Sequence, residues 1–171
     1  IALINATSAI QISLKLAGVK NGDEVLAPTL TFIAPINAII YNGAEPVFMD
    51  CDDFYNIDQD KTIEFIKNKT YLKNNFTYNK KTNKKISAVI IVHTFGNPPN
   101  ISKLKKICNI RNIEIIEDAS ESLGSFYKTK SKKLIPLCKS SKFACLSFNG
   151  NKIITSGGGG MIITNNAKIS N

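Results

Sequence analysis

Strand-like and helix-like runs alternate along these 171 residues, and that alternation restricts the fold more than any other feature. Residues 24–28, 46–50, 87–93, 113–117, 143–148 and 161–164 read as strands, with 87–93 the clearest buried one. Residues 31–41, 58–67 and 101–109 read as helices, and an apolar stripe at Ile10, Leu14 and Ala17 marks another near the start. Strands that alternate with helices are joined by crossovers, which implies an α/β fold with a mostly parallel sheet and flanking helices. Residues 68–85, polar and lysine-rich, read as an exposed excursion rather than a linker. With 43% hydrophobic and 20% charged residues, the chain suits one domain with a real core.

Ligands of such sheets bind beyond the carboxyl ends of the strands, so the residues just after each strand come first as site candidates. Lys152 stands between the strand ending near Phe148 and the run Gly157-Gly158-Gly159-Gly160, where no side chain keeps a ligand from the backbone. A lysine on a rigid strand exit suits Schiff-base chemistry with an aldehyde cofactor, because the neutral amine is the nucleophile. The plain alternative is a solvated surface lysine, one of 22 Lys and Arg. Asp118 follows another strand, either as a carboxylate facing a heteroaromatic nitrogen or as the N-cap of a following helix. Ser147 lies five residues before Lys152. An imine-forming lysine, a carboxylate and hydroxyls for a phosphate together describe a pyridoxal 5′-phosphate (PLP) site.

Seven collinear segments carry a family resemblance: Asn5-Ala6-Thr7-Ser8-Ala9, Gly22-Asp23-Glu24-Val25, Pro28-Thr29-Leu30-Thr31-Phe32-Ile33-Ala34 with Asn37-Ala38-Ile39, Gly43 to Asp50, Val92-His93-Thr94-Phe95-Gly96, Glu117-Asp118-Ala119, and Ser147-Phe148 followed by Lys152. In register over nearly the whole chain, the sequence resembles the DegT/DnrJ/EryC1/StrS aminotransferases, PLP enzymes of fold type I that act on nucleotide-linked keto-sugars. Asn149-Gly150-Asn151-Lys152 and Glu121 resemble the legionaminic-acid and related nonulosonate branch.

The resemblance implies that Lys152 carries the cofactor and then moves protons, and that Asp118 pairs with the pyridine nitrogen. It implies that Thr7, Ser8 and Ser147 hold the phosphate, that Phe32 stacks on the ring, and that Glu121 lies near the phenolic oxygen. Hydroxyls and free N–H groups at a helix start make an anion site, in keeping with the first of these segments. Three positions depart from the family pattern: Glu121 stands where glutamine or histidine is usual, Asn149 where histidine is frequent, and Gly158 where an acidic residue is frequent. Members that dehydrate the sugar have histidine in place of the lysine, so Lys152 favours transamination. The implied substrates are a nucleotide-linked 4-keto-6-deoxy sugar, a UDP-linked N-acetylhexosamine in that branch, and glutamate as donor; the implied assembly is a homodimer.

The resemblance also implies that residues 1–171 are part of a PLP-binding large domain, with the small C-terminal domain lying beyond them. The competing readings are an inactive fragment or a basic binding or dimerisation module, and a PLP enzyme of the same fold on another keto substrate. No run approaches the roughly 20 apolar residues of a membrane span. Cys51, Cys108, Cys138 and Cys145, with the single His93, lack metal-ligand spacing, which points to reduced cytoplasmic thiols and no metal. The net charge of +9 comes from lysine clusters without a stacking platform of aromatics, a pattern of a solvated basic face rather than of nucleic-acid binding.

Overall fold

A computed structural model describes residues 1–128, 134–136 and 141–170. Five parallel strands form its centre, in spatial order β3 (Glu45–Met49), β2 (Glu24–Pro28), β6 (Lys85–Val92), β7 (Glu114–Asp118) and β10 (Phe143–Ser147). β11 (Gly160–Thr164) adds antiparallel to β10, and β1 (Ala2–Leu3) adds antiparallel to β11. The mostly parallel sheet expected from the alternation is therefore present, and each strand read from the sequence lies within two residues of its expected bounds at either end.

Central parallel strands are covered on both faces, which is why they are nearly continuous apolar runs. On one face, α1 (Ala6–Leu16) and α2 (Ile33–Tyr41) pack Ile10, Leu14 and Ile39 against Val25, Ala88, Ile90, Ile116 and Phe143. On the other, α3 (Gln59–Asn68) and α4 (Ser102–Arg111) pack Ile66, Leu104 and Cys108 against Leu26, Val89, Ile91 and Ile115. Fully burying one such side chain contributes about 1.5–3 kcal/mol, which is why the two faces together set the register. The helix starts carry their own signals: Asn5 Oδ1 accepts from the N–H of Ser8 at 2.8 Å, and Asp58 Oδ1 from that of Lys61 at 3.0 Å.

Residues 68–85 correct one expectation. They form a hairpin, β4 (Thr70–Lys73) and β5 (Phe76–Asn79), joined to the start of β6. Tyr71 stacks on Tyr78, and the turn residues Asn74 and Asn75 take positive φ, which asparagine tolerates. The buried Glu24 carboxylate accepts from Asn79 Nδ2 at 2.8 Å and Thr82 Oγ1 at 2.7 Å, anchoring the hairpin to β2 at the edge far from the strand exits. A two-stranded ribbon, β8 (Phe126–Lys128) with β9 (Leu134–Pro136), and the short α5 (Ala167–Ser170) complete the described elements. Among the described residues no helix is long and apolar enough to cross a membrane, and no group of His, Cys, Asp and Glu is arranged to hold a metal.

Candidate active site

Parallel pairing puts the exits of β6, β7 and β10 side by side, and the β1–β11–β10 connection brings the start of α1 to the same edge. Gly160 makes that approach possible: a Cβ there would lie 2.3 Å from the carbonyl carbon and oxygen of Asn5 and 2.7 Å from the nitrogen of Ala6. A cavity of about 570 Å³ opens between these elements. Thr7, Phe32, Asp118, Glu121, Ser147 and Lys152 all line it. Ser8 lies outside the lining, with its N–H already given to Asn5.

Asp118 ends β7 and is almost fully buried. Its Oδ1 accepts from the backbone N–H of Ser120 at 3.1 Å and from Ser120 Oγ at 2.5 Å. Burial pushes its carboxyl above the ordinary 3.8, while the Ser120 bonds and the charges of His93 and Lys152 pull it back. No helix follows. Residues 119–125 are turns, so the alternative of a helix cap gives way to a local turn closed by Ser120.

Lys152 sits in a loop that closes on itself: its N–H donates to Asn149 O at 3.0 Å, and Ser156 N and Thr155 Oγ1 donate to Phe148 O at 3.1 and 3.0 Å. Its side chain is 17% exposed, and Nζ lies 3.3 Å from Oε1 of Glu121. Glu121 Oε2 accepts from the backbone N–H of Phe95 at 3.1 Å. The residue that departs from the family pattern is thus the acceptor for the site's lysine and for a backbone N–H, two roles of which glutamine, with one acceptor oxygen, would fill only one.

Sequence reasoning left a buried chain unassigned. His93 Nε2 lies 3.0 Å from Glu117 Oε2 and Nδ1 lies 2.8 Å from Ser122 Oγ, with the side chains of His93 and Glu117 wholly inaccessible. The N–H of His93 also donates to Asp118 O at 3.0 Å. These contacts pin the strand exits and the segment that carries Asp118 and Glu121. Parallel pairing of β6 and β7 creates them, and sequence spacing gives no hint of it. Asn5 had a readable signal, a capping residue immediately before a helical stripe.

PLP fits this donor set. The cavity offers an amine, a buried carboxylate, the Thr7 and Ser147 hydroxyls, and the first N–H groups of α1, which have no acceptor within the helix. Two more hydroxyl oxygens in its lining residues, Thr31 Oγ1 and Thr94 Oγ1, are buried with no hydrogen-bond partner, as suits a pocket shaped for a polar ligand.

The fold is one shared with known aminotransferases. The aminotransferase from Psychrobacter cryohalolentis has a similar structure, with a TM-score of 0.80, 28% identity, and coverage of 99% of this chain and 38% of that one. NtdA from Bacillus subtilis, solved with bound PMP, the pyridoxamine form of the cofactor, has a TM-score of 0.79 at 27% identity and is covered over 34% of its length. The sequence profile of the DegT/DnrJ/EryC1/StrS aminotransferase family matches residues 1–171, and the chain belongs to that family.

GDP-perosamine synthase of Escherichia coli O157:H7 is 36% identical over 161 residues, 94% of this chain and 39% of that protein. The putative pyridoxal phosphate-dependent aminotransferase EpsN of Bacillus subtilis is 36% identical over 162 residues, 94% of this chain and 38% of that protein. The chain thus spans about two fifths of the relatives it matches. The name of EpsN carries the cofactor, that of GDP-perosamine synthase a GDP-linked sugar, and neither names the nonulosonate branch.

Proposed function

We propose that the protein containing this chain is a PLP-dependent aminotransferase that aminates a nucleotide-linked 4-keto-6-deoxy sugar. The observation that carries the reading is the convergence of Lys152, Asp118 and the α1 N-terminus on one cavity from three separate parts of the chain. Bound there, PLP supplies an aldehyde and an electron-accepting ring through which an amino group passes from donor to acceptor. Lys152 Nζ would hold the cofactor and carry protons to and from the reacting carbons. Asp118, a carboxylate in a poorly solvated wall, would face the ring nitrogen and hold a proton on it. Thr7, Ser8, Ser147 and the first N–H groups of α1 would take the phosphate, with Ser8 drawn in only by a shift of the Asn5 cap. Phe32, 80% exposed at the cavity wall, would cover one ring face, and Glu121 would lie near the phenolic oxygen.

The acceptor is the finer part of the proposal. Asn149-Gly150-Asn151-Lys152 and Glu121 support a UDP-linked N-acetylhexosamine with glutamate as donor. The relatives named GDP-perosamine synthase support a GDP-linked sugar instead. Exposed apolar residues stand in the cavity lining, Leu30, Phe32 and Phe95, and support a homodimer closing over the site. The relatives' greater length supports a further C-terminal domain outside these residues, and the unbridged Cys51, Cys108 and Cys145 support a cytoplasmic setting.

The test uses the full-length protein with PLP, glutamate and a panel of UDP-, GDP- and dTDP-linked 4-keto-6-deoxy sugars. Amination of one nucleotide series at C4 is the expected result, and preference for UDP or GDP decides between the two acceptors. Absence of amino transfer to every sugar while PLP stays bound would overturn the sugar reading.

A further inference from the structure

Lys152 has a partner positioned before any cofactor arrives. Nζ lies 3.3 Å from Glu121 Oε1, inside the cavity wall, and the other carboxylate oxygen is fixed at 3.1 Å by the N–H of Phe95. The turn that supplies this N–H is itself held. Phe95 has φ 53°, a left-handed conformation that is costly for a bulky residue, and Gly96 packs so closely that a Cβ there would lie 2.6 Å from Glu121 O. On either side of Glu121, Ser120 Oγ is bonded to Asp118 and Ser122 Oγ to His93. Glu121 is therefore aimed at the lysine by backbone on one side and by a buried chain on the other.

A lysine ammonium cannot add to an aldehyde; its proton must leave first. Three titratable groups bear on Nζ. Asp118, at the end of β7, has one oxygen engaged by Ser120, and in the proposed function its task is the ring nitrogen. His93, at the end of β6, is turned to Glu117 and Ser122. Glu121 alone of the three is in direct contact with Nζ. We propose that Glu121 is the base that takes the Lys152 proton. The ammonium gives H⁺ to Oε1, leaving a neutral amine and a carboxylic acid. The amine then forms its bond to the aldehyde carbon, and the aldehyde oxygen leaves as water. The same proton transfer from Nζ would recur whenever the lysine, released during amino transfer, returns to the cofactor, the group then displaced being an amine rather than water.

This inference rests on Lys152 being the attachment point, and one experiment separates the two. PLP is added to the cofactor-free full-length protein, the rise of the visible absorption of lysine-bound PLP is timed, and borohydride reduction followed by peptide mass mapping locates the bond. In Glu121→Ala the rate is expected to fall about a hundredfold, the ordinary size of general-base catalysis, and to recover in proportion to added acetate, a small base that fits the vacated space. Glu121→Gln keeps the shape without the base, so it is expected to be as slow and deaf to acetate. A merely structural role would give no response to acetate. Attachment at the wild-type rate in Glu121→Ala, or a fall that acetate leaves untouched, overturns the inference alone. A wild-type protein whose reduced label lies on another residue overturns the attachment point and this inference together.

Discussion

Gly160→Ala tests whether the site depends on the close approach of β11 to the start of α1. A methyl group there would meet the Asn5 carbonyl carbon and oxygen at 2.3 Å and the Ala6 nitrogen at 2.7 Å, all backbone atoms. Non-bonded carbon contacts relax at about 3.5–4.0 Å, so one side must retreat by roughly 1–2 Å. Gly160 is paired with Leu3 on one side and Ser147 on the other, which leaves the helix end as the part that moves. Overpacking of this kind costs about 1–3 kcal/mol. In a domain of this size each kcal/mol corresponds to about 2–4 °C, which predicts a Tm drop of about 2–12 °C. The retreat also displaces the N–H groups proposed to hold phosphate, so PLP affinity is expected to fall at least about tenfold. Gly158→Ala is the internal control, since nothing lies within 4 Å of a Cβ at that position. Thermal unfolding of the cofactor-free full-length variants, with fluorescence titration of PLP, reads both effects. If Gly160→Ala melts and binds PLP like Gly158→Ala, the approach does not constrain the site and the reasoning fails.

Three further perturbations probe the residues around it. Lys152→Ala is expected to abolish the borohydride-fixed PLP bond and to lower amino transfer by several orders of magnitude; a reducible linkage that persists would remove Lys152 from the reaction. Asp118 holds its proton in the folded state beyond the ordinary 3.8, so unfolding releases a proton and cofactor-free stability falls as the pH rises above that value. Asp118→Asn is expected to flatten that fall in Tm while weakening PLP binding, and an unchanged pH profile would contradict the burial argument. Burial pushes the Cys108 thiol up to about 12, so alkylation of the native protein near neutral pH is expected to label half-buried Cys51 and spare Cys108 until denaturant is added. Equal labelling of both cysteines in the native state would show that the α4 face opens.

Where apolar runs mark both faces of a strand, sequence was enough. β6 and β10 are buried along almost their whole length, and the Val, Ile and Phe that bury them are visible as runs. The hairpin at β4 and β5 was hidden because its residues are half-solvated, although Asn74-Asn75 between Tyr-Leu-Lys and Phe-Thr-Tyr is a turn signal in retrospect. Lys152 and Asp118 could be singled out because each follows a strand. The partnerships of Glu121 with Lys152 and of His93 with Glu117 depend on which strands become neighbours, and single-residue patterns do not encode that.

β1 pairs with β11, so residues 2–3 are held by residues 160–161, and the backbone nitrogen of Ile1 reaches Ile162 O at 3.0 Å. Closing so long a loop is entropically costly and gains nothing until β11 is present. During synthesis the strands β2, β3, β6 and β7 can assemble while α1 still lacks the support that fixes its first turn. A ribosome therefore delivers the intended phosphate cradle long before the strand that completes it, and a nascent chain cut short of Gly160 would carry the Asp118 wall of the pocket without a fixed place for the phosphate.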